Sequence, residues 1–151
     1  MLEIVPYASA DWAGMEAAHD AARLQELTYA GLEAAFLPLS IAAQREDLFD
    51  YTLNVARLDG KTVGFVAFTE DELAWLYVNP KYQRRGIGRA LAEHALAQME
   101  PGEQTVEVLM GNTPAKSLYQ KLGFTRENVV HGKMPGNEEF AVTVWELTRQ
   151  G

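Results

Sequence analysis

An apolar, strand-like run, Leu73-Ala74-Trp75-Leu76-Tyr77-Val78, leads into Gln83-Arg84-Arg85-Gly86-Ile87-Gly88, and that stretch into a helical run from Arg89 to Met99. A strand that must pass through two glycines into a helix constrains the fold more than any other part of the chain. Glycine tolerates positive φ and lets another molecule approach the backbone, and a helix start leaves amide N–H groups without intrahelical partners. The paired arginines add fixed positive charge. Such a strand–turn–helix unit is suited to hold a polyphosphate.

The rest of the chain bounds what that polyphosphate can belong to. At 151 residues it is expected to form one domain, residues 1–151, large enough for a real core. The formal charge of −8 argues against nucleic-acid binding, which needs a basic surface. Against that background the cluster Lys81, Arg84, Arg85 and Arg89 suits an anionic cofactor. The remaining negative field either favours a cationic second substrate or serves solubility alone. With no cysteine there is no disulfide, thiolate nucleophile or cysteine-ligated metal. His19, His94 and His131 lack metal-site spacing, so no metal is expected and structural or surface roles are assigned to all three. No apolar stretch is long enough to span a bilayer, and Met1 to Pro6 lacks the form of a signal peptide. A cytoplasmic location without a membrane partner is expected.

Leu2 to Pro6 reads as a first strand. From Asp11 to about Leu48 the pattern is helical, with Asp11 as N-cap and Gly31 and Pro38 dividing it into two helices. Thr52–Leu58 and Lys61–Thr69 read as strands joined by an Asp59-Gly60 hairpin turn, and Glu72–Val78 as a third. After the Arg89–Met99 helix come a strand over Thr105–Met110 and a helix capped by Thr113, with Pro114 at its first position and Gly123 at its stop. Phe124 onward and Phe140–Leu147 are closing strands. Hairpins mixed with βα crossovers make an α+β, mixed-sheet domain rather than a doubly wound one.

Among glycine-rich phosphate loops, a Walker loop needs Gly-Lys-Ser/Thr, which is absent. A dinucleotide fingerprint needs a third small residue where Leu91 stands. The pyrophosphate arm of coenzyme A is the third option. Here Val78 to Leu91 resembles the acetyl-CoA loop of the GCN5-related N-acetyltransferases, with its Gln/Arg-x-x-Gly-x-Gly/Ala core. A second block, Val106-Glu107-Val108, then Asn112, Ala115, Leu118-Tyr119 and Leu122-Gly123-Phe124, resembles the family's Asn-x-x-Ala-x-x-x-Tyr-x-x-x-Gly-Phe pattern. The resemblance covers roughly residues 52 to 147. It implies a mixed central sheet of about six to seven strands with about four flanking helices. Two parallel strands, Glu72–Val78 and Thr105–Met110, would splay apart around the pantetheine arm.

The resemblance also implies roles. Acetyl-CoA is the acyl donor, and direct transfer to an amine in a ternary complex is the expected route. Backbone amides from Gln83, Arg84, Arg85, Gly86, Ile87 and Gly88 would hold the pyrophosphate, with charge from Arg84, Arg85 and Arg89. Leu76, Tyr77 and Val78 would meet pantetheine through their backbone, with Val78 N–H polarising the thioester carbonyl. Asn112 would anchor a pantetheine amide or cap the next helix. Ala115 and Tyr119 share a face of that helix at the i, i+4 spacing, and Tyr119 would be the general acid. Either Glu72, ranked first, or Glu107 would be the base. A non-catalytic CoA-binding module, or transfer of another acyl chain or to another acceptor, stays open.

Acceptor recognition would fall to Tyr29, Phe36, Phe49, Tyr51 and the segment from His131 to Glu139, where Glu138 and Glu139 could meet a cation. The sequence does not choose among small-molecule and peptide amines. An apolar edge strand such as Val142–Trp145 could pair in a homodimer.

Overall fold

The structure is a computed structural model that describes residues 1–151. Its elements run β1 (Leu2–Pro6), α1 (Trp12–Ala30), α2 (Leu39–Arg45), β2 (Thr52–Leu58), β3 (Lys61–Phe68), β4 (Glu72–Val78), α3 (Ile87–Leu96), β5 (Glu103–Leu109), α4 (Thr113–Lys121), β6 (Arg126–Lys133) and β7 (Ala141–Gln150). The seven strands form one mixed sheet in the order β1-β2-β3-β4-β5-β7-β6. Asp59 and Gly60 take φ of 51° and 83°, the left-handed pair that a two-residue hairpin requires. Gly31 ends α1 in the left-handed region, as its position in the sequence implies.

Helices cover both faces of the sheet. On one, α3 and α4 pack Ile87, Leu91, Ala95 and Tyr119 against Val66, Leu73, Val106 and Val108. On the other, α1 and α2 pack Met15, Leu39 and Ala42 against Val55, Phe65 and Trp75. Helix α1 lies almost on β3, and a Cβ at Gly14 would stand 2.5 Å from the Thr62 carbonyl oxygen.

Strand β4 breaks the regularity of the sheet on both of its sides. The register with β3 shifts between Ala67 and Phe68, so Ala74 is an extra residue on β4. Ala74 and Trp75 therefore both turn toward α1 and α2, which is the mark of a bulge. On its other side β4 meets β5 in parallel at only two positions, Glu72↔Thr105 and Leu73↔Val106. Beyond them β4 stays with β3 and β5 stays with β7, so a wedge opens between the two strands.

The structure corrects three local expectations. Asp11 does not cap α1 with its side chain; its carboxylate accepts from Ala8 N–H, Arg57 and Thr62, which tie the helix entry to β2 and β3. Helix α3 starts at Ile87, two residues ahead of Arg89, because left-handed Gly86 serves as its N-cap. The Val142–Trp145 segment is not an edge, since β6 folds back to pair outside β7 and becomes the border strand itself.

Candidate functional site

The wedge continues into a cleft of ≈ 430 Å³ bounded by α1, α2, β4, β5, α4 and the β6–β7 hairpin. Backbone polarity follows from the register. Asn79 N–H donates to Val63 O at 2.8 Å, extending the β3–β4 ladder by one pair. Alternation along an antiparallel strand then commits Tyr77 to β3 and turns the N–H groups of Leu76 and Val78 toward the wedge. Of the three residues expected to meet a ligand through their backbone, Tyr77 thus offers its side chain instead.

The loop beyond β4 is unusual in what it leaves free. None of the backbone N–H groups of Arg84, Arg85, Gly86, Ile87, Gly88 and Arg89 donates to a protein acceptor. Gln83 N–H is engaged by Pro80 O, so the free run lies one residue later than expected. Arg84 and Gly86 have φ of 64° and 80°, and alternating handedness of this kind gathers amides into an anion-binding hollow. Gly86 has open space around it and needs glycine for its φ. Gly88 has ordinary φ, and a Cβ there would stand 3.7 Å from Val78 Cγ2, so nothing inside the protein demands glycine. Gln83 Nε2 donates to Val78 O at 3.3 Å and to Gln25 Oε1 at 3.0 Å, joining the loop to β4 and α1. Arg84, Arg85 and Arg89 are exposed, with Arg85 above the Tyr82 ring at 5.4 Å and Arg89 paired to Glu93 at 3.1 Å.

Ala115 and Tyr119 bring α4 to the wedge. Tyr119 is 6% exposed, lies edge-on to Phe124 at 5.8 Å, and its hydroxyl makes no hydrogen bond within the protein. Burial and the nearby Glu26 carboxylate push its phenol well above the usual range, so it stays protonated. Asn112, not Thr113, caps α4: its Oδ1 accepts from Ala115 N–H at 3.3 Å, while its Nδ2 donates to Glu26 Oε2 at 3.1 Å.

Glu26 belongs to a polar stripe that the motif blocks gave no hint of. His19, Arg23 and Glu26 project from one face of α1 into the cleft. Arg23 Nη1 donates to Glu26 Oε1, which also accepts from Tyr77 OH at 3.2 Å, and Arg23 Nη2 meets Met134 Sδ at 3.6 Å. Glu46, following α2, completes the wall. Burial pushes its carboxyl up to about 7; Arg23 pulls the other way and Glu138 adds to the rise. The available signal was the i, i+4, i+7 spacing of His19, Arg23 and Glu26 on a helix whose same face also carries buried Met15 and Ala22.

Of the two candidate bases, Glu107 lines the cleft and Glu72 does not. Glu72 sits where β4 and β5 are still paired, at the closed end of the wedge. Its carboxyl is raised by burial, then by Glu107 and Asp71. The late segment contributes Gly132, Lys133, Met134, Pro135 and Asn137 to the cleft. The early aromatics do not: Phe36 packs with Leu27 and Met134, Tyr51 packs under α2, and Tyr29 and Phe49 are exposed on the outer surface.

Residues 49–126 match the family model described as an acetyltransferase (GNAT) domain. The chain is 43% identical over 67 residues to the peptidyl-lysine N-acetyltransferase YiaC of Escherichia coli, covering 44% of each. It is 37% identical over 84 residues to the [ribosomal protein bS18]-alanine N-acetyltransferase of the same organism, covering 51% of this chain and 57% of that one. The chain thus spans about half the length of these curated relatives in the matched segments. The whole fold superposes on a GCN5-related N-acetyltransferase from Rhodopseudomonas palustris with TM-score 0.73 and 24% identity, covering 99% of this chain and 95% of that one. It also superposes on the PaiA N-acetyltransferase of Thermoplasma acidophilum in complex with coenzyme A, with TM-score 0.69 and 18% identity, covering 100% and 99%.

Proposed function

The chain belongs to the GNAT acetyltransferase family, and on that footing we propose that it moves an acetyl group from acetyl-CoA to a primary amine by direct attack in a ternary complex. The observation that carries this reading is the run of free amides from Arg84 to Arg89 opening onto a wedge whose walls are backbone. A diphosphate on those amides directs its pantetheine arm between β4 and β5. The Leu76 and Val78 N–H groups then meet the arm's polar atoms, as a third strand would. Val78 N–H polarises the thioester carbonyl, and the oxyanion gains most from a donor already in place. Tyr119 keeps its proton until the thiolate leaves and then donates it. Asn112, held by Glu26 and the α4 amide, fixes the strand end against which the arm lies.

The acceptor enters from the α1, α2 and β6–β7 side. Glu46 and Glu107 line that side, and their carboxylates favour a cationic amine over an anionic acceptor. The named activities of the two Escherichia coli relatives, on peptidyl lysine and on a ribosomal protein's alanine, support an amine acceptor that includes protein amines. Calorimetry with acetyl-CoA tests the reading. Saturable binding is expected, weakened at least about tenfold when Arg84 and Arg85 are both replaced by alanine. Absence of binding would refute it. Binding without turnover across an amine panel would leave a CoA-binding module.

A further inference from the structure

Histidine on an alanine-rich helix reads first as packing, and His19 is indeed 2% exposed. Its surroundings do more than fill space. The ring is held edge-on to Tyr77 at 4.9 Å and tilted on Trp75 at 6.0 Å. Its Nδ1 is 2.9 Å from Asp20 Oδ1. That oxygen also accepts the Leu39 N–H at 2.8 Å, so α2 holds the carboxylate in place. An ionised carboxylate can only accept, so Nδ1 carries the hydrogen and Nε2 is left with a lone pair. Nε2 has no partner in the protein, yet it is not sealed off: the one sealed, unpartnered side-chain polar atom of the molecule is Arg149 Nε. His19 lines the cleft, and Nε2 is its one ring nitrogen without a protein partner.

We propose that His19 is the base that takes the proton from the attacking amine, with Asp20 as the residue that fixes its tautomer and orientation. The charged groups around the ring are Asp20, Arg23 and Glu26 from α1, with Tyr77 on β4. Burial lowers the imidazole's affinity for a proton, and Asp20 opposes that only in part, so the ring is neutral at physiological pH. Neither carboxylate competitor has this arrangement. Glu72 lies at the closed end of the wedge, and Glu107 is exposed with no residue orienting it. The inference rests on the proposed acetyl transfer. The amine nitrogen bonds to the thioester carbon and passes its extra proton to Nε2, while the C–S bond breaks and the sulfur takes the Tyr119 proton. One proton transfer through solvent from imidazolium to phenolate restores both groups.

The test uses the full chain with acetyl-CoA and a short peptide bearing a free N-terminus and one lysine. His19→Gln should lower kcat by about a hundredfold or more while the acetyl-CoA Kd and the peptide KM stay within about twofold. The acid limb of the wild-type kcat profile should disappear in that variant. Asp20→Asn should retain part of the rate and move that limb to lower pH. Unchanged kcat and limb in His19→Gln would overturn the assignment. Should that variant fold poorly, NMR titration of the wild-type histidines decides: the His19 ring must titrate where the acid limb falls, and a mismatch overturns the proposal. If the wild type does not bind acetyl-CoA, the acetyl-transfer reading fails first and takes this one with it.

Discussion

Leu73 and Val106 are the last residues at which β4 and β5 meet in register. Everything toward the C-terminal ends of those strands faces a gap, and the loop with free amides begins where β4 ends. The site is thus built from missing hydrogen bonds as much as from side chains, and substitutions should act on one or the other.

Gly86 and Gly88 should respond differently to alanine. Gly86→Ala places a Cβ at φ 80° and should cost about 1 kcal/mol of stability. Gly88→Ala meets only ordinary contacts, so its melting temperature should hold while acetyl-CoA affinity falls about tenfold or more. Thermal melts beside calorimetry separate the two. Equal loss of stability in both variants would remove the distinction.

Tyr119→Phe should lower kcat about a hundredfold with little change in acetyl-CoA affinity, since only the hydroxyl is lost. Because burial raises the phenol's pKa, the acid form persists as pH rises. Wild-type kcat should therefore not decline on the basic side below about pH 10. A steady-state pH profile checks this, and an earlier basic decline would point to a different acid.

Asp11 is 3% exposed and carries the Arg57 and Thr62 hydrogen bonds that anchor the start of α1. The Arg57 guanidinium holds its carboxyl down to about 2, with Thr62 and the Ala8 amide helping against burial. A folded pKa below the unfolded one gives stability that is present above about pH 4 and is lost as pH falls through about 2. Asp11→Asn should cost about 2 kcal/mol at pH 7, or roughly 4–8 °C in Tm. The gap from wild type should narrow in melts at pH 2.

Glu46 has the opposite sign. Its folded pKa of about 7 exceeds the unfolded value, so it favours folding below about pH 4.5 and progressively less as pH rises through 7. Glu46→Gln should be more stable than wild type at pH 8 and equal to it near pH 4. The same variant should raise the acceptor KM several-fold at pH 8, where the native carboxylate is charged. Denaturant melts and initial rates at both pH values measure the pair of effects.

The sequence carried the local parts of this architecture well. The Asp59-Gly60 hairpin, the strand over Glu72–Val78 and the glycine turn into α3 all depend on neighbours in the chain. Strand order was not legible in the same way. Whether β7 or β6 borders the sheet depends on which returning strand pairs with β5, a long-range choice that neither strand's neighbours in the chain decide. The glycine loop and the α4 side of the cleft were readable because their residues sit in two compact blocks. The α1 and α2 side was not, because His19, Arg23, Glu26 and Glu46 reach the cleft from elements far along the chain from Asn112 and Tyr119. That Glu72 falls outside the cleft lining was not legible either, since no local pattern tells at which residue two parallel strands part.

One lysine links the two sides. Lys116 on α4 reaches Glu127 on β6 at 2.7 Å and lies 4.1 Å over the Trp145 ring on β7. The helix that presents Tyr119 is therefore pegged to the hairpin whose far end lines the cleft. A change in the hairpin's tilt drags Tyr119 with it, so any remodelling of that end of the cleft must preserve this peg or supply another.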